Sequence, residues 1–286
     1  MLERWTRPLA GLLTWIAGVV NGFYRVLGRP GKLLQDFLNG SWLGHSLHPV
    51  LTDVVVGGST VAVGLEILRW FGVEGLVVAL AWTLLLTWLA ALATIVTGLT
   101  DYKDTATGDE RNLAGTHGLI NIVASIGFFV AWLAYLGNPG TLGPVLLIAS
   151  YVVLSVGAFI GGHVVFKYGY MVNHNAFSRG KRARDFTAVL PLAELPEATP
   201  TRAALGATGL VLVRRGDLVY ALKETCSHAG GPLAEGQLEG DTIICPWHSS
   251  AFRLADGAVR HGPATSREVA YAARINGDQI EVQGPR

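Results

Sequence analysis

The sequence predicts a membrane α-helical bundle, four transmembrane helices preceded by an amphipathic helix, followed by an all-β domain. Three observations predict it. Half of the 286 residues are apolar and only 15% are charged, more apolar surface than a soluble chain of this length can bury. Charge is missing over long stretches, with no Asp, Glu, Lys or Arg between Gly75 and Thr100 or between Leu113 and Val165. Past the fourth apolar stretch the pattern changes from helical to alternating, with turn sequences at short intervals. The chain divides into an N-terminal amphipathic, interfacial segment (1–44), a four-helix membrane domain (45–174), a linker (175–186) and a β domain (187–286).

Residues 8–27 set Leu9, Leu12, Leu13, Ile16, Val19, Val20, Phe23, Val26 and Leu27 at helical spacing, with Asn21 and Tyr24 opposite. Arg4 and Arg7 before an apolar run would also suit a signal peptide, but no A-x-A cleavage site follows before Arg25. A helix lying in the membrane interface fits the one-sided pattern. Four spans follow, approximately Pro49–Phe71, Leu76–Leu99, Ala114–Leu136 and Leu142–Phe166, each near the roughly 20 residues a bilayer requires. Pro49 suits a first helical turn, and Gly72, Gly137 and Gly143 punctuate the connections.

Basic residues set the orientation. Arg25, Arg29, Lys32, Lys103, Arg111, Lys167, Arg179, Lys181, Arg182 and Arg184 fall on the side where the first span begins, and Arg69 alone on the other. The positive-inside rule makes the first side cytoplasmic. The β domain follows the fourth span on that side, so it is expected in the cytoplasm, attached to a bacterial inner membrane. A net charge of +1 gives no sign of nucleic-acid binding.

In the last hundred residues, apolar alternation in GLVLV, LVYAL, TIIC, REVAYAARI and QIEV is broken by Arg215-Gly216-Asp217, Glu239-Gly240-Asp241, Asp256-Gly257 and Asn276-Gly277-Asp278. These are hairpin turns between short antiparallel strands.

The two cysteines, the only ones in the chain, each stand just before a histidine: Cys226-x-His228 and Cys245-x2-His248. Two thiolates and two imidazoles from two loops suit a [2Fe-2S] centre in which one iron takes the sulfurs and the other the nitrogens. A structural Cys2His2 zinc site is the alternative, though such sites usually pair Cys with Cys and His with His. Glycines and a proline in AGGPL let the first loop approach inorganic sulfur, and Ser249 and Ser250 offer hydroxyl donors after the second. The segment from CSHAGGPL to CPWHSSAFRLADGAVRHGPA resembles the Rieske ferredoxin family. The resemblance implies that Cys226 and Cys245 bind one iron and His228 and His248 the other. It places Gly231 and Trp247 where high-potential members carry a disulfide. Ser250 stands where those members have a sulfur-donating serine, and Phe252 where they have a tyrosine. These departures imply a ferredoxin-like, lower-potential centre.

Five further histidines, His45, His48, His117, His163 and His174, fall on the same membrane side in this reading. Ionisable residues within spans are functional candidates, and imidazoles from different helices could serve a haem b iron or a quinone. The segments GHSLHPVLTDVVVG, THGLIN and GGHVVFKYG resemble a bacterial family of four-span domains without an assigned activity. That resemblance marks His48, His117 and His163 as its recurring histidines, the candidate haem ligands. A diiron carboxylate site fits less well, because the bundle lacks Glu-x-x-His pairs.

The sequence therefore reads as a membrane-bound electron-transfer protein, a component of an oxidoreductase system rather than a complete enzyme. It would pass single electrons between the [2Fe-2S] cluster and a haem b or quinone in the bundle. One alternative is an anchored ferredoxin serving a partner oxygenase or flavin-dependent reductase across the lipid surface; another is a quinone reductase.

Overall fold

The structure is a computed structural model describing residues 2–138, 140–177 and 185–285. It contains two compact units, Met1–Gly31 with Ser46–Tyr170 and Lys32–His45 with Met171–Arg286. The segment expected as one N-terminal piece is divided between them after Gly31. Arg179, Lys181, Arg182 and Arg184 of the expected linker lie outside the described residues.

The helical unit contains α1 (Leu2–Thr6), α2 (Ala10–Asn39, of which the part to Gly31 belongs here), α3 (Leu47–Trp70), α4 (Val77–Tyr102), α5 (Asp109–Leu136) and α6 (Leu142–Tyr168). Helix α2 breaks at Gly28, whose φ of 58° and ψ of −129° suit a residue without a Cβ. Pro30 just beyond it has no N–H to continue the ladder.

Five helical segments among the described residues are long and apolar enough to cross a membrane: Leu2–Asn39 and the four helices α3 to α6. Length and composition thus make the N-terminal segment a fifth candidate beside the four spans expected. Its contacts fall at one end of the others. Glu3 pairs with Lys167 at the end of α6 and Arg7 with Asp109 at the start of α5. The Tyr102 hydroxyl donates to the Leu13 carbonyl (2.8 Å), and Tyr24 bonds Thr100 (2.6 Å) at the end of α4. The stretch from Glu3 to Tyr24 is about 30 Å of helix, so it lies across the end of the bundle rather than beside its length.

In the bundle α3 packs on α4, α4 on α5, α5 on α6, and α6 returns to α3. Leu80, Leu84, Phe128, Leu147 and Leu154 fill the centre with small Ala62 and Ala131. Apolar side chains also cover the outside, among them Val61, Leu68, Trp82, Leu86, Ile126, Val152 and Phe159. Helices apolar all round are what hydrocarbon selects. At the end away from α2, the buried Glu66 carboxylate accepts from Tyr135 (2.7 Å) and Arg69 (2.7 Å), which offsets part of its desolvation.

The β unit holds two antiparallel sheets. One has six strands in the order β1 (Thr187–Pro191), β10 (Gln279–Pro285), β9 (Ala270–Asn276), β4 (Leu218–Lys223), β3 (Thr208–Arg215) and β2 (Thr201–Leu205). The other runs β5 (Gln237–Glu239), β6 (Thr242–Ile244), β7 (Ala251–Arg253) and β8 (Val259–His261). Strand β3 is buried on both faces: Val211 and Val213 pack with Ile243 and Phe252, while Leu210 and Leu212 pack with Tyr271 and Ile280. All four turns read from the sequence are present, with Gly216, Gly240, Gly257 and Gly277 at φ of 59 to 70°.

A Cβ at Gly115 would meet Leu13 Cδ2 at 2.5 Å and the Tyr102 hydroxyl at 2.9 Å. Gly115→Val should therefore cost about 1–3 kcal/mol by overpacking and prise the N-terminal helix off. Limited trypsin digestion of the detergent-solubilised protein should then cut at Arg25 faster than in wild type; unchanged digestion would contradict this packing.

Candidate metal centre

Strand β4 delivers the chain into the first loop and the β6–β7 hairpin carries the second. The two loops close in the same way. The Cys226 N–H donates to the Gly231 carbonyl (2.9 Å) and the Gly230 N–H to the Cys226 carbonyl (2.9 Å). In the second loop the Cys245 N–H donates to Ser250 (2.8 Å) and the Ser249 N–H to Cys245 (3.1 Å). This winding needs a left-handed residue four places after each cysteine. Gly230 supplies it at φ 79°, and Ser249 adopts it at φ 61°, an uncommon position for a residue with a side chain.

The loops bring Cys226, His228, Cys245 and His248 together. Both thiols are free and buried, part of one apolar core with Phe252, Leu233 and Ile243. They share a hydrogen bond. Cys226 is pushed up, first by that bond and then by burial, whereas Cys245 is pulled down to about 7 by the bond and by the Trp247 and His248 N–H groups. The imidazoles of His228 and His248 stand edge to face, ring centres 5.0 Å apart. Among the described residues no three His, Cys, Asp or Glu converge on one ion position. The donors form a sulfur pair in the core and a nitrogen pair beside it, a set that fits a two-iron cluster with unlike irons.

Gly231 and Trp247 face one another across the loops: a Cβ at Gly231 would lie 2.8 Å from Cys245 Sγ and 3.1 Å from the Trp247 ring. Ser250 is fully buried and its Oγ accepts the Ala264 N–H (3.0 Å). Phe252 is fully buried behind the cysteines.

Support for the first loop comes from residues the sequence did not single out. Buried Glu268 accepts the Ser227 N–H on one oxygen and Asn175 Nδ2 (2.7 Å) on the other, while Asn175 also donates to Thr225 (3.0 Å). The Ser227 hydroxyl donates to Ser266 (2.7 Å), and the His174 N–H to the Ser227 carbonyl (3.0 Å). Burial raises Glu268 to about 8 against the Ser227 donors that lower it. On the far side Asp36 Oδ1 accepts the Gly262 N–H (2.7 Å) and lies 2.7 Å from His261 Nδ1. A lone Glu in REVAYAARI and a lone Asp in a helix carry no local signal of such roles.

Of the five histidines read as sharing a membrane face, the structure brings two together. His48 and His117 stand edge to face with ring centres 6.2 Å apart. His163 is elsewhere, its Nε2 3.6 Å from Glu3 Oε1 and its ring against Tyr168. His45 and His174 belong to the β unit.

Residues 185–276 match the family described as Rieske [2Fe-2S] domain, and residues 44–174 the family described as predicted membrane protein (DUF2231). Ferredoxin CarAc of Metapseudomonas resinovorans is 34% identical over 82 residues, 29% of this chain and 77% of that protein. The 3-phenylpropionate/cinnamic acid dioxygenase ferredoxin subunit of Shigella boydii serotype 4 is 32% identical over 96 residues, 33% of this chain and 90% of that protein. Among solved structures, the ferredoxin of carbazole 1,9a-dioxygenase from Nocardioides aromaticivorans IC177 aligns at 30% identity with a TM-score of 0.33, covering 35% of this chain and 98% of that one.

Glu268 generates a pH test. Its folded pKa of about 8 exceeds the ordinary 4.5, so the folded state holds the proton more tightly. The associated stability is fully present below about pH 4.5 and is lost as pH rises through about 8. Glu268→Gln should match wild type in thermal midpoint at pH 5 and exceed it at pH 9. A variant that keeps the wild-type pH slope would show that Glu268 does not titrate in this window.

Proposed function

Because the chain belongs to the Rieske [2Fe-2S] family through residues 185–276, we propose that it is a membrane-bound ferredoxin-type electron carrier, a component of an oxidoreductase system. The observation that carries this reading is the pair of matched loops that set two buried sulfurs and two imidazoles side by side. Cys226 and Cys245 would hold one iron, and His228 and His248 the other. When bound, the cluster supplies a one-electron redox centre. The chain's own groups tune it. N–H groups of His228, Trp247 and His248 donate to the cysteine sulfurs and favour negative charge there. The apolar core around both thiols keeps water from them. Trp247 is 57% exposed and stands beside His248, 6.3 Å between ring centres, which offers an aromatic contact to a partner at the imidazole edge.

Relatives named as ferredoxin components of dioxygenases support an oxygenase, or the flavin-dependent reductase that feeds one, as that partner. The apolar helices would fix the carrier to a bacterial inner membrane, with α2 in the interface where its exposed Trp15, Val19 and Phe23 meet lipid. Arg25, Arg29, Lys32, Lys103, Arg111 and Lys167 favour a cytoplasmic β unit. A second reading adds exchange of electrons with a haem b or quinone in the bundle, and the approach of His48 to His117 favours it. On that reading a quinone reductase is the alternative activity.

Detergent-solubilised full-length protein should show a Rieske-type EPR signal that disappears in His228→Ala and in His248→Ala; a zinc-loaded, EPR-silent protein would refute the assignment. Its midpoint potential should lie in the lower half of the Rieske range of about −150 to +300 mV, because Gly231 and Trp247 replace a disulfide and Phe252 a hydroxyl donor. A value near the top would restore quinol oxidation as the activity.

Orientation is tested by Glu239→Cys, an exposed position at the end of β5. A membrane-impermeant thiol reagent should label it in inverted vesicles and miss it in intact spheroplasts; the reverse pattern would put the β unit outside.

A further inference from the structure

The helical bundle repeats itself, although its sequence does so only at scattered positions. Buried α3 positions Val55, Ser59, Ala62 and Glu66 are matched, at one constant offset, by buried Ala124, Phe128, Ala131 and Tyr135 of α5. Buried Leu84, Thr87, Ala91 and Thr97 of α4 are likewise matched by Leu147, Ser150, Leu154 and Ile160 of α6. The close approaches follow the same two offsets. A Cβ at Gly58 would strike the Thr87 hydroxyl at 2.3 Å, and one at Gly127 the Ser150 hydroxyl at 2.1 Å. The equivalents Glu66 and Tyr135 bond to each other. Hairpin α3–α4 and hairpin α5–α6 are therefore two copies of one unit, starting from the same end and related by a pseudo-two-fold axis along the bundle.

His48 and His117 are equivalent in this repeat, and their surroundings repeat too. His48 Nδ1 donates to the Thr94 carbonyl (3.0 Å), and His117 Nδ1 to the equivalent Gly157 carbonyl (2.7 Å). One turn on, each ring lies against a glycine: a Cβ at Gly98 would be 2.8 Å from His48, and one at Gly161 2.6 Å from His117. The Asn121 amide also lies 3.1 Å from His117 Nδ1 and 3.4 Å from Nε2. A carbonyl only accepts, so Nδ1 carries the hydrogen in both rings and Nε2 carries the lone pair, toward which the Asn121 NH2 can donate in His117. That is the tautomer, and the outer hydrogen bond, of a metal-bound imidazole.

We infer that His48 and His117 are the two axial ligands of one haem iron seated on the pseudo-two-fold axis of the bundle. The inference deepens the second reading above, the haem in the bundle. Two imidazoles bound to one metal from opposite sides at about 2 Å hold their ring centres roughly 6 Å apart, close to the 6.2 Å observed. Among the described residues no third His, Cys, Asp or Glu joins the pair in an ion-binding group. A bare cation would lack ligands there, whereas a porphyrin brings four nitrogens and asks the protein for two. His163 is excluded, because its equivalent in the first hairpin is Thr100 and its ring faces Glu3.

The test is haemin titration of the full-length protein in detergent, with the Rieske EPR signal recorded on the same samples as an independent check of the β unit. Wild type should bind one haemin per chain and give a low-spin, bis-imidazole spectrum, and His163→Ala should match it. His48→Gly and His117→Gly should each lose the low-spin spectrum or bind at least tenfold more weakly, and added imidazole should restore it. The inference is overturned if wild type with an intact Rieske signal binds no haemin, if both glycine variants keep the wild-type spectrum, or if extracted quinone occupies the bundle in place of haem.

Discussion

The β unit depends on one constraint: two thiols must reach the middle of an apolar core from loops whose backbones are polar. Cys226 and Cys245 pack with Leu233, Ile243 and Phe252, where an unmet N–H or carbonyl would cost about 1–3 kcal/mol. Each loop meets that cost by winding back on its own cysteine, and the winding demands a left-handed residue four places on. Glu268 and Asn175 then satisfy the groups left over at Ser227 and Thr225. The sulfurs end in the apolar core, with the buried His228 and the half-buried His248 beside them, an order that follows from the loops before any iron is considered.

The helical unit answers the same demand by opposite means. Its helices satisfy their own backbones, so side chains alone decide how they approach. Small residues at Gly58, Gly98, Gly127 and Gly161 let a hydroxyl or an imidazole touch the neighbouring helix. Buried polar groups meet one another, as Glu66 does with Tyr135 and Arg69, or a backbone carbonyl, as Thr97 and Thr100 do.

The sequence made legible whatever is local and periodic. Charge-free stretches marked α4 to α6, alternation marked the strands, and each glycine turn fell where two hydrophobic runs met. The Cys-His spacings marked the candidate cluster loops because all four residues lie in two short segments. What stayed hidden depends on residues far apart. Nothing near Glu268 or Asp36 signals a role in holding a loop, and Ser249 does not announce its left-handed backbone. The bundle's repeat was hidden because only scattered positions keep their identity, such as His48 with His117 and Gly98 with Gly161, while between them Thr94 is matched by Gly157 and Glu66 by Tyr135. The five histidines grouped by membrane side were too coarse a set, since side is a one-dimensional property and only the packing separates His48 and His117 from His163, His45 and His174.

The bond from Asp36 to Gly262 spans 226 residues of chain, and the whole bundle lies between its ends. During synthesis the segment Lys32–His45 leaves the ribosome well before its β partner, a delay of roughly ten seconds or more at about 5–20 residues per second. Through that interval Asp36 and its neighbours have no native sheet to join. The β unit is thus completed last, after the helices have been made, and a fragment begun at residue 187 for separate expression would lack both Asp36 and Asn175, the two side chains that brace its loops from outside the strands.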